Sequence, residues 1–522
     1  MRFDKHILSI GLPIIALAWS LWYVFAGMGN HMDPLYWLHK YEFMEGGWMA
    51  VGTILFGGAV VRLFGAGLLA MRWVAWLCVT VAIALPYCCL LDRDQRKANL
   101  HWLALAFGLM GYGAFQELSP GTLTVLLLSV MAVLSIQYRR VPGNIYLVVL
   151  GSIAGLAITV RFPNILALPV VLGLTGVVRG RQWWRDSLVL VASAILSATF
   201  VYGMAWLWLT PAPMDAAMSS HQLMKMLSAM WTKGALLIGY ALLWTGIGCL
   251  PVALPESWKE KNRVLPLAGV MVGLAVLYYA LYVPSPRQWY NIDLTYMIAA
   301  GVLMMAFSGK QREEFWMAAL LIVAALGTDV GWLKLFPAVL VLLPVAGATM
   351  PQEKQRYLWP VVLGLTISVM VRFSTNSVGG SDLRKSREVA TAMPYTGIRV
   401  TEQEAEYMMQ IKADYDSLST EQSILAVGSD LHLMRSLTGC EAARYNEFWS
   451  NIFDSVYTAK YQPIVETEHP IVFCFFSPQF RTKPTYRNRH SAFEEMLRAQ
   501  GYEAIDRGKY KYMIYTFQED GK

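Results

Sequence analysis

A cluster of ionisable side chains follows the first apolar segment of this 522-residue chain. Segment 31–45 contains six acidic, basic or histidine residues, which are His31, Asp33, His39, Lys40, Glu42 and Glu45, with Tyr36, Trp37 and Tyr41 between them. A carboxylate close to low-dielectric lipid has a raised pKa, which suits it to act as a general base. Rings interleaved with carboxylates also favour sugar binding, because pyranose C–H faces pack on rings while hydroxyl groups bond to carboxylates. The alternative interpretation is an interfacial loop whose aromatic residues form part of a membrane belt.

Two later polar segments carry further candidate residues. Segment 209–233 contains His221 and Lys225 among five methionines and is predicted to form an amphipathic interfacial helix. That helix would either gate the entry of a lipid substrate or only pack on the bilayer. Towards the C-terminus, His432 and a run of basic residues at 481–490 would either contact an anionic acceptor or form a solvated face.

The composition indicates which elements must position these residues. Apolar residues make up 56% of the chain and charged residues 15%, whereas a soluble domain carries about 25% charged residues. Apolar stretches of about 18 or more residues, long enough to cross a hydrocarbon core, recur along the chain. The sequence therefore predicts an all-α polytopic membrane protein and excludes a disordered chain or an ordinary cytosolic enzyme. Despite a net charge of +7, we expect no nucleic-acid partner, because most Lys and Arg lie in short loops between apolar segments.

Thirteen transmembrane helices are predicted within residues 1–373. The expected spans are 7–27, 72–91, 99–116, 119–137, 143–161, 163–178, 187–208, 234–254, 264–283, 292–308, 315–331, 334–349 and 357–373. The apolar stretch 47–70 is interrupted by Arg62 and is predicted to be a juxtamembrane helix within an external loop at 28–71. This assignment gathers the cationic clusters on one side, so the positive-inside rule places the N-terminus in the cytoplasm and the C-terminus outside.

The composition changes after residue 373, where charged residues become frequent. Segments 424–428 and 471–476 are typical of buried strands, 491–502 of a helix and 510–517 of a final strand. Residues 374–522 are therefore predicted to form a small external α/β domain.

The order of these segments resembles the GT-C class of membrane glycosyltransferases, in the branch of protein O-mannosyltransferases and lipid A aminoarabinose transferases. The similar features are a first helix that starts inside, an early acid in the first external loop and a juxtamembrane helix. The residues that carry them are Asp33, LFG at 63–65 and LAMR at 69–72. Segment 155–169 is similar to the place where a family helix ends externally at a basic residue, and the long loop 209–233 follows the seventh span as in the family.

This resemblance implies transfer of a hexose or pentose from a polyprenyl-phosphate-linked donor to an external acceptor in one inverting displacement. It assigns Asp33 as the base that deprotonates the acceptor and Arg161 as the cation that neutralises the lipid phosphate. Glu117 is a candidate by position only, because Gln116 and Glu117 stand where the aminoarabinose branch has an external Asp. Asp33 has a structural alternative as a helix cap before Pro34, and Arg161 has one as a side chain that snorkels to the interface.

Asp33 is thus the candidate catalytic residue. The candidate substrate-binding residues are His31, Lys40, Glu42, Glu45, Glu117, Arg161, His221 and Lys225. No cofactor follows from the residues, and a divalent metal remains an alternative.

The expected partners are the lipid bilayer, the lipid-linked donor and a glycan, lipid or protein acceptor. The short loops are typical of a bacterial inner membrane, with the C-terminal domain in the periplasm. Alternative functions are transport of lipid-linked saccharides and O-antigen polymerisation or ligation. A transporter should carry charges in mid-span, whereas the middle segments here are nearly free of charge.

Overall fold

A computed structural model describes most of the chain up to residue 211 and selected ranges beyond it. The described residues are 5–27, 32–46, 50–110, 117–211, 312–325, 336–348, 387–418, 423–428, 430–439, 455–475, 493–508 and 512–518. The α-helices in these ranges are α1 Lys5–Phe25, α2 Met32–Phe43, α3 Val51–Phe64, α4 Leu68–Leu90, α5 Arg93–Ala98, α6 Leu100–Leu109, α7 Pro120–Arg140, α8 Asn144–Val160, α9 Ala167–Arg179, α10 Trp183–Trp208, α11 Arg312–Ile322, α12 Phe336–Ala348, α13 Glu402–Leu418, α14 Leu431–Thr438 and α15 Ser455–Glu468. Short 3-10 helices are Phe162–Leu166, Gly180–Gln182 and Val323–Ala325.

The strands lie mainly in the C-terminal part of the chain. They are β1 Glu45–Gly46, β2 Thr210–Pro211, β3 Glu388–Val389, β4 Arg399–Val400, β5 Ile424–Gly428, β6 Ile471–Phe475, β7 Tyr502–Arg507 and β8 Tyr512–Phe517. Four of them form one sheet in the order β5-β6-β8-β7, in which β5 and β6 are parallel and β8 is antiparallel to both β6 and β7. Every residue of β6 is buried, which fits a central strand covered on both faces.

The local predictions for this region are largely confirmed. The strands predicted at 424–428, 471–476 and 510–517 are β5, β6 and β8. Residues 493–499 of the helix predicted at 491–502 are helical, but Tyr502 already belongs to β7. A glycine with φ +83° at position 501 separates the helix from this strand, because a left-handed backbone conformation ends a helix readily.

Three helical segments in the described ranges are long and apolar enough to cross a membrane: Leu68–Leu90, Pro120–Arg140 and Phe162–Trp208. The third contains two of the predicted spans, which the structure divides into α9 and α10. Shorter apolar helices lie within α1, α3, α6 and α8. The chain thus has the helical, apolar character of an integral membrane protein. The predicted spans 234–254, 264–283, 292–308 and 357–373 lie outside the described residues.

The predicted juxtamembrane helix corresponds to α3, which has 14 residues and is too short to span a bilayer unaided. Gly65, with φ +88°, ends it and allows the chain to turn into α4, which starts four residues before the predicted span. Leu63 and Phe64 at the end of α3 are 76% and 67% exposed in the structure. Exposed apolar side chains at a helix end are typical of a helix that lies in the membrane interface.

Two glycines allow α8 and α10 to approach closely. A Cβ at Gly151 would lie 2.3 Å from the carbonyl oxygen of Leu190, and one at Gly155 would lie 2.2 Å from that of Ala194. Small residues at such contacts let helix backbones meet, which is a common packing mode between membrane helices.

The C-terminal part packs directly on the first-loop region. Backbone N–H groups of Gly27 and Leu68 donate to the carbonyl oxygens of Arg399 and Pro394, over 2.8 and 3.0 Å. Tyr395 is fully buried between these two contacts. One apolar core contains side chains from α2, α4, α13, α14 and the sheet. The fold therefore holds the first loop and the C-terminal sheet in fixed contact.

Candidate functional site

The helix α2 forms the centre of the candidate site. It begins at Met32, so Asp33 lies in its first turn and not at the N-cap, in a position where the helix dipole favours an acid. Pro34 is also in the first turn, where a missing N–H costs nothing. The side chain of Asp33 lies outside the described part of the chain. If Asp33 has only a structural role, that role is to stabilise the first turn of α2 through the helix dipole and not to cap the helix.

One face of α2 carries Tyr36, His39, Lys40 and Phe43, which are spaced so that they adjoin on a helix surface. The ring of His39 lies 4.6 Å from that of Phe43, and the Lys40 ammonium lies 4.9 Å from the Tyr36 ring centroid. His39 and Lys40 are 5% and 7% exposed, so two titratable groups of the first loop are buried.

The short helix α14 packs against this face. His432 approaches the rings of Tyr36 and His39, with centroid distances of 5.7 and 6.1 Å. The guanidinium of Arg435, one turn further along α14, lies 5.2 Å from the Phe43 ring centroid. We call His39, Lys40, His432 and Arg435 the interhelical cluster.

The histidines of the interhelical cluster are neutral at physiological pH. Burial lowers the pKa of His39 and of His432 to about 3, and the positive charges of Arg435 and Lys40 contribute to both shifts. Burial also lowers the pKa of Lys40, while the Glu45 carboxylate acts in the opposite direction. His432 is 5% exposed, and neither of its ring nitrogens has a hydrogen-bond partner in the described structure.

Glu45 lies beside the interhelical cluster, with its Oε2 atom 3.5 Å from Nε2 of His39. Because the lowered pKa keeps His39 neutral at pH 7, we do not regard this contact as an ion pair. Glu45 belongs to β1, which pairs in parallel with β2 at Thr210. The start of the segment 209–233 therefore lies next to the end of the first loop. Glu42, near the end of α2, is exposed.

A second group of polar residues lies on the opposite side of α2: Tyr41, the predicted candidate Glu117, and Arg72. The Tyr41 hydroxyl donates to the carbonyl oxygen of Leu118 over 2.7 Å, and burial and then the Glu117 carboxylate raise the pKa of Tyr41. Arg72 at the start of α4 is 1% exposed, donates from Nη1 to the Gly27 carbonyl oxygen over 2.9 Å and interacts electrostatically with Glu117. Glu117 therefore lies near α2 and Arg72.

Arg161 caps the C-terminus of α8. Its Nη1 atom donates to the Ala324 carbonyl oxygen over 2.8 Å, in the 3-10 turn after α11. The preceding turn contacts α3, where the Thr53 hydroxyl donates to the Val160 carbonyl oxygen over 3.0 Å. The structure therefore places Arg161 beside the predicted juxtamembrane helix and engages part of its guanidinium with backbone.

The remaining predicted residues lie outside the described ranges. These are His31, His221 and Lys225. Within the described ranges, no group of three or more His, Cys, Asp or Glu side chains is arranged to hold a metal ion.

Sequence reasoning missed the pairing of His39 with His432 and the burial of Arg72. The spacing of Tyr36, His39, Lys40 and Phe43 on one helical face is a signal that indicates a packed surface. In α14, Arg435 follows His432 by three residues and shares its face in the same way. These signals identify two polar faces, but no local pattern indicates that they meet.

The sequence has no match among protein-family models or curated proteins. Among solved structures, the chain is similar to an oligosaccharyltransferase of Archaeoglobus fulgidus, crystallised with Zn and sulfate. The TM-score is 0.50 at 11% identity, and the match covers 97% of this chain and 73% of that one. It is also similar to ArnT from Cupriavidus metallidurans bound to undecaprenyl phosphate, with a TM-score of 0.47, 13% identity and coverage of 98% and 97%. At these identities the first likeness shows a common fold.

Proposed function

We propose, from the premise that this chain has the GT-C membrane glycosyltransferase fold, that it transfers a sugar from a polyprenyl-phosphate-linked donor to an external acceptor. The observation that carries the proposal is the position of Asp33, in the first turn of a helix that directly follows α1 and is packed against the C-terminal sheet region. The fold agrees with the resemblance found in the sequence.

The proposed reaction is a single displacement at the anomeric carbon. Asp33 accepts the proton of an acceptor hydroxyl or amine while the acceptor atom forms a bond to that carbon. The bond between the anomeric carbon and the phosphate oxygen breaks, and its electron pair remains on the phosphate. The product sugar has inverted configuration. A cation near the leaving phosphate lowers the barrier because negative charge develops there.

Arg161 is the proposed phosphate-binding cation, and Lys40, on the side of α2 that faces α14, is a proposed substrate contact. The contact of α3 with the end of α8 supports this role, because it holds Arg161 beside the helix expected to lie in the interface. Glu117 is proposed to adjoin the acceptor, since it acts electrostatically on Tyr41 of α2. His31, Glu42, Glu45, His221 and Lys225 remain proposed substrate contacts.

The proposed setting is a bacterial inner membrane with a cytoplasmic N-terminus. We propose that thirteen spans form residues 1–373 and that residues 374–522 form an α/β domain in the periplasm. The four-stranded sheet and the helices α13, α14 and α15 support the second part of this division. The proposed acceptor is a glycan, a lipid or a protein, and the proposed sugar is a hexose or pentose.

The proposal is tested with the full chain in proteoliposomes that contain polyprenyl-phosphate sugars labelled in the sugar. We expect label to appear in an added acceptor with inverted anomeric configuration. Movement of labelled donor between leaflets without any transfer would contradict the proposal and favour a transporter. Empty liposomes and the heat-inactivated protein serve as controls.

A further inference from the structure

His432 is a buried side chain whose environment in the described chain does not satisfy it. Both of its ring nitrogens lack a hydrogen-bond partner, as does Nε2 of His39 opposite, and each residue is 5% exposed. Buried polar groups are nearly always hydrogen-bonded, because burial without a partner is costly. Two facing imidazoles with three such nitrogens therefore point to a ligand that bonds between them.

The charges around these imidazoles determine the sign of that ligand. Lys40 and Arg435 flank the histidines, and both raise the local positive potential. Within the described ranges neither cation has a carboxylate within ion-pair distance. Glu45 is the acid that contacts the cluster, and it lies at 3.5 Å from a neutral histidine. A metal cation between Lys40 and Arg435 would be repelled, whereas an anion would be attracted.

We propose that the interhelical cluster binds a phosphate group between α2 and α14. Imidazole N–H groups, an ammonium and a guanidinium all donate to phosphate oxygens, and the guanidinium can do so through two parallel bonds. Tyr36 and Phe43 cover the two cations with their rings and so hold them in place. The site joins the first-loop helix to the C-terminal region and does not include Asp33 or Arg161.

The proposed function, on which this part of the inference rests, indicates which molecules could bring the phosphate group to the site. The phosphate belongs either to a polyprenyl lipid in the bilayer or to a water-soluble acceptor, and both offer the same oxygen atoms to the cluster. Because binding is measured without sugar transfer, a failure of the site and a failure of the transferase reaction are distinguishable.

The test measures binding of inorganic phosphate to the full chain in nanodiscs by isothermal titration calorimetry. We expect saturable binding that weakens at least tenfold in Arg435→Gln, which removes the positive charge, and in His432→Leu, which removes an N–H donor to the anion. His432→Leu removes buried, unpartnered nitrogens and keeps an apolar side chain, so we expect it to fold. Lys412→Gln is the matched control, because Lys412 is 53% exposed and pairs with Asp416 on the surface of α13.

Glu45→Gln separates an anion site from a cation site. Removing this acid strengthens phosphate binding if the cluster attracts anions, and it would weaken binding of a metal such as Zn²⁺. No saturable phosphate binding, unchanged binding in both Arg435→Gln and His432→Leu, or Zn²⁺ binding that depends on His432 would each overturn the proposal. An equal loss in Lys412→Gln would also overturn it, because the effect would then reflect net charge alone.

Competition experiments with inorganic phosphate identify the molecule whose phosphate group the site binds. Polyprenyl phosphate added to the nanodiscs displaces inorganic phosphate if the site takes a lipid headgroup. A soluble sugar phosphate displaces it, with the lipid ineffective, if the site takes a water-soluble acceptor. Either result supports the phosphate site.

Discussion

The imidazole rings of His39 and His432 face each other with centroids 6.1 Å apart, although they come from opposite ends of the chain. This contact connects the helix that carries Asp33 with the helix that follows β5. Any change in the docking of α14 therefore acts on the first-loop helix. The contact between α2 and α14, and not the membrane spans alone, is therefore the structural basis of the candidate site.

Acidification is expected to loosen the contact between α2 and α14. The folded pKa of about 3 lies below the ordinary value of 6.5 for both histidines, so their stabilising contribution is complete above pH 6.5 and is lost as the pH falls towards 3. At pH 5 we expect a loss of about 2 kcal/mol per histidine relative to pH 7. This loss of stability is measured by hydrogen exchange of the α14 amides at pH 7 and pH 5, after correction for the intrinsic exchange rates. His432→Leu should remove about half of the effect, and an unchanged pH dependence would contradict the assignment.

Replacing Arg72 is expected to destabilise the contact between the first-loop region and the C-terminal part of the chain. Its buried guanidinium bonds to the Gly27 carbonyl and interacts with Glu117, so Arg72→Met leaves buried acceptors without their cation. We expect the free energy of unfolding to fall by about 3–5 kcal/mol. Thermal unfolding in detergent measures the change. Arg62→Met, at an exposed arginine of α3, is the control and should have little effect; equal stability of both variants would refute the role.

Methyl groups at the α8–α10 contact are expected to push the two helices apart. Gly151→Ala and Gly155→Ala each place a Cβ within 2.3 Å of a backbone oxygen of α10, which costs about 1–3 kcal/mol. Gly176→Ala is the control, since nothing lies within 4 Å of its added Cβ. The melting temperature should fall in the first two variants only. A matching fall in Gly176→Ala would mean that helix packing is not the cause.

The stability of the C-terminal sheet is expected to depend on Asp414 of α13, which is 3% exposed. Its carboxylate accepts hydrogen bonds from Nε and Nη2 of Arg507, at 3.0 and 2.7 Å, and from the hydroxyl of Tyr512. Asp414→Asn should lower stability by about 2–3 kcal/mol, because the negative charge is lost and one of the two accepting oxygens becomes an NH₂ group that faces a donor. Exchange protection in β7 and β8 reports this. Asp416→Asn, an exposed acid on the same helix, should leave protection unchanged.

Much of the local structure was predictable because its signals are local. The apolar runs at β5 and β6 indicated buried strands, and the long apolar segments indicated α4 and α7. Thr401 and Glu404 form a reciprocal capping box that marks the start of α13 and is visible in the sequence as Thr-x-x-Glu. The start of α4 lies four residues before the predicted start of its span, because helix ends are set less sharply by the sequence than helix centres.

The site was only partly predictable, because its decisive contacts are tertiary. The chemical types of Lys40 and Glu45 make both candidate residues from sequence, and the structure places Lys40 in the interhelical cluster and Glu45 beside it. The sequence predicts that His432 contacts an anionic acceptor or belongs to a solvated face, yet it is buried against α2. Burial of Arg72 depends on the C-terminal segment folding back over Gly27, which nothing in the residues near Arg72 indicates.

The most direct test of the central claim is sugar transfer by Asp33→Asn in reconstituted membranes. The account predicts that kcat falls about 100-fold or more while exchange protection of α14 and the affinity for lipid donor stay unchanged, because a general base is lost and the fold is kept. Asp416→Asn, which removes an exposed acid from α13, should keep most of the activity. Transfer at the wild-type rate by Asp33→Asn would contradict the claim that this carboxylate is the base.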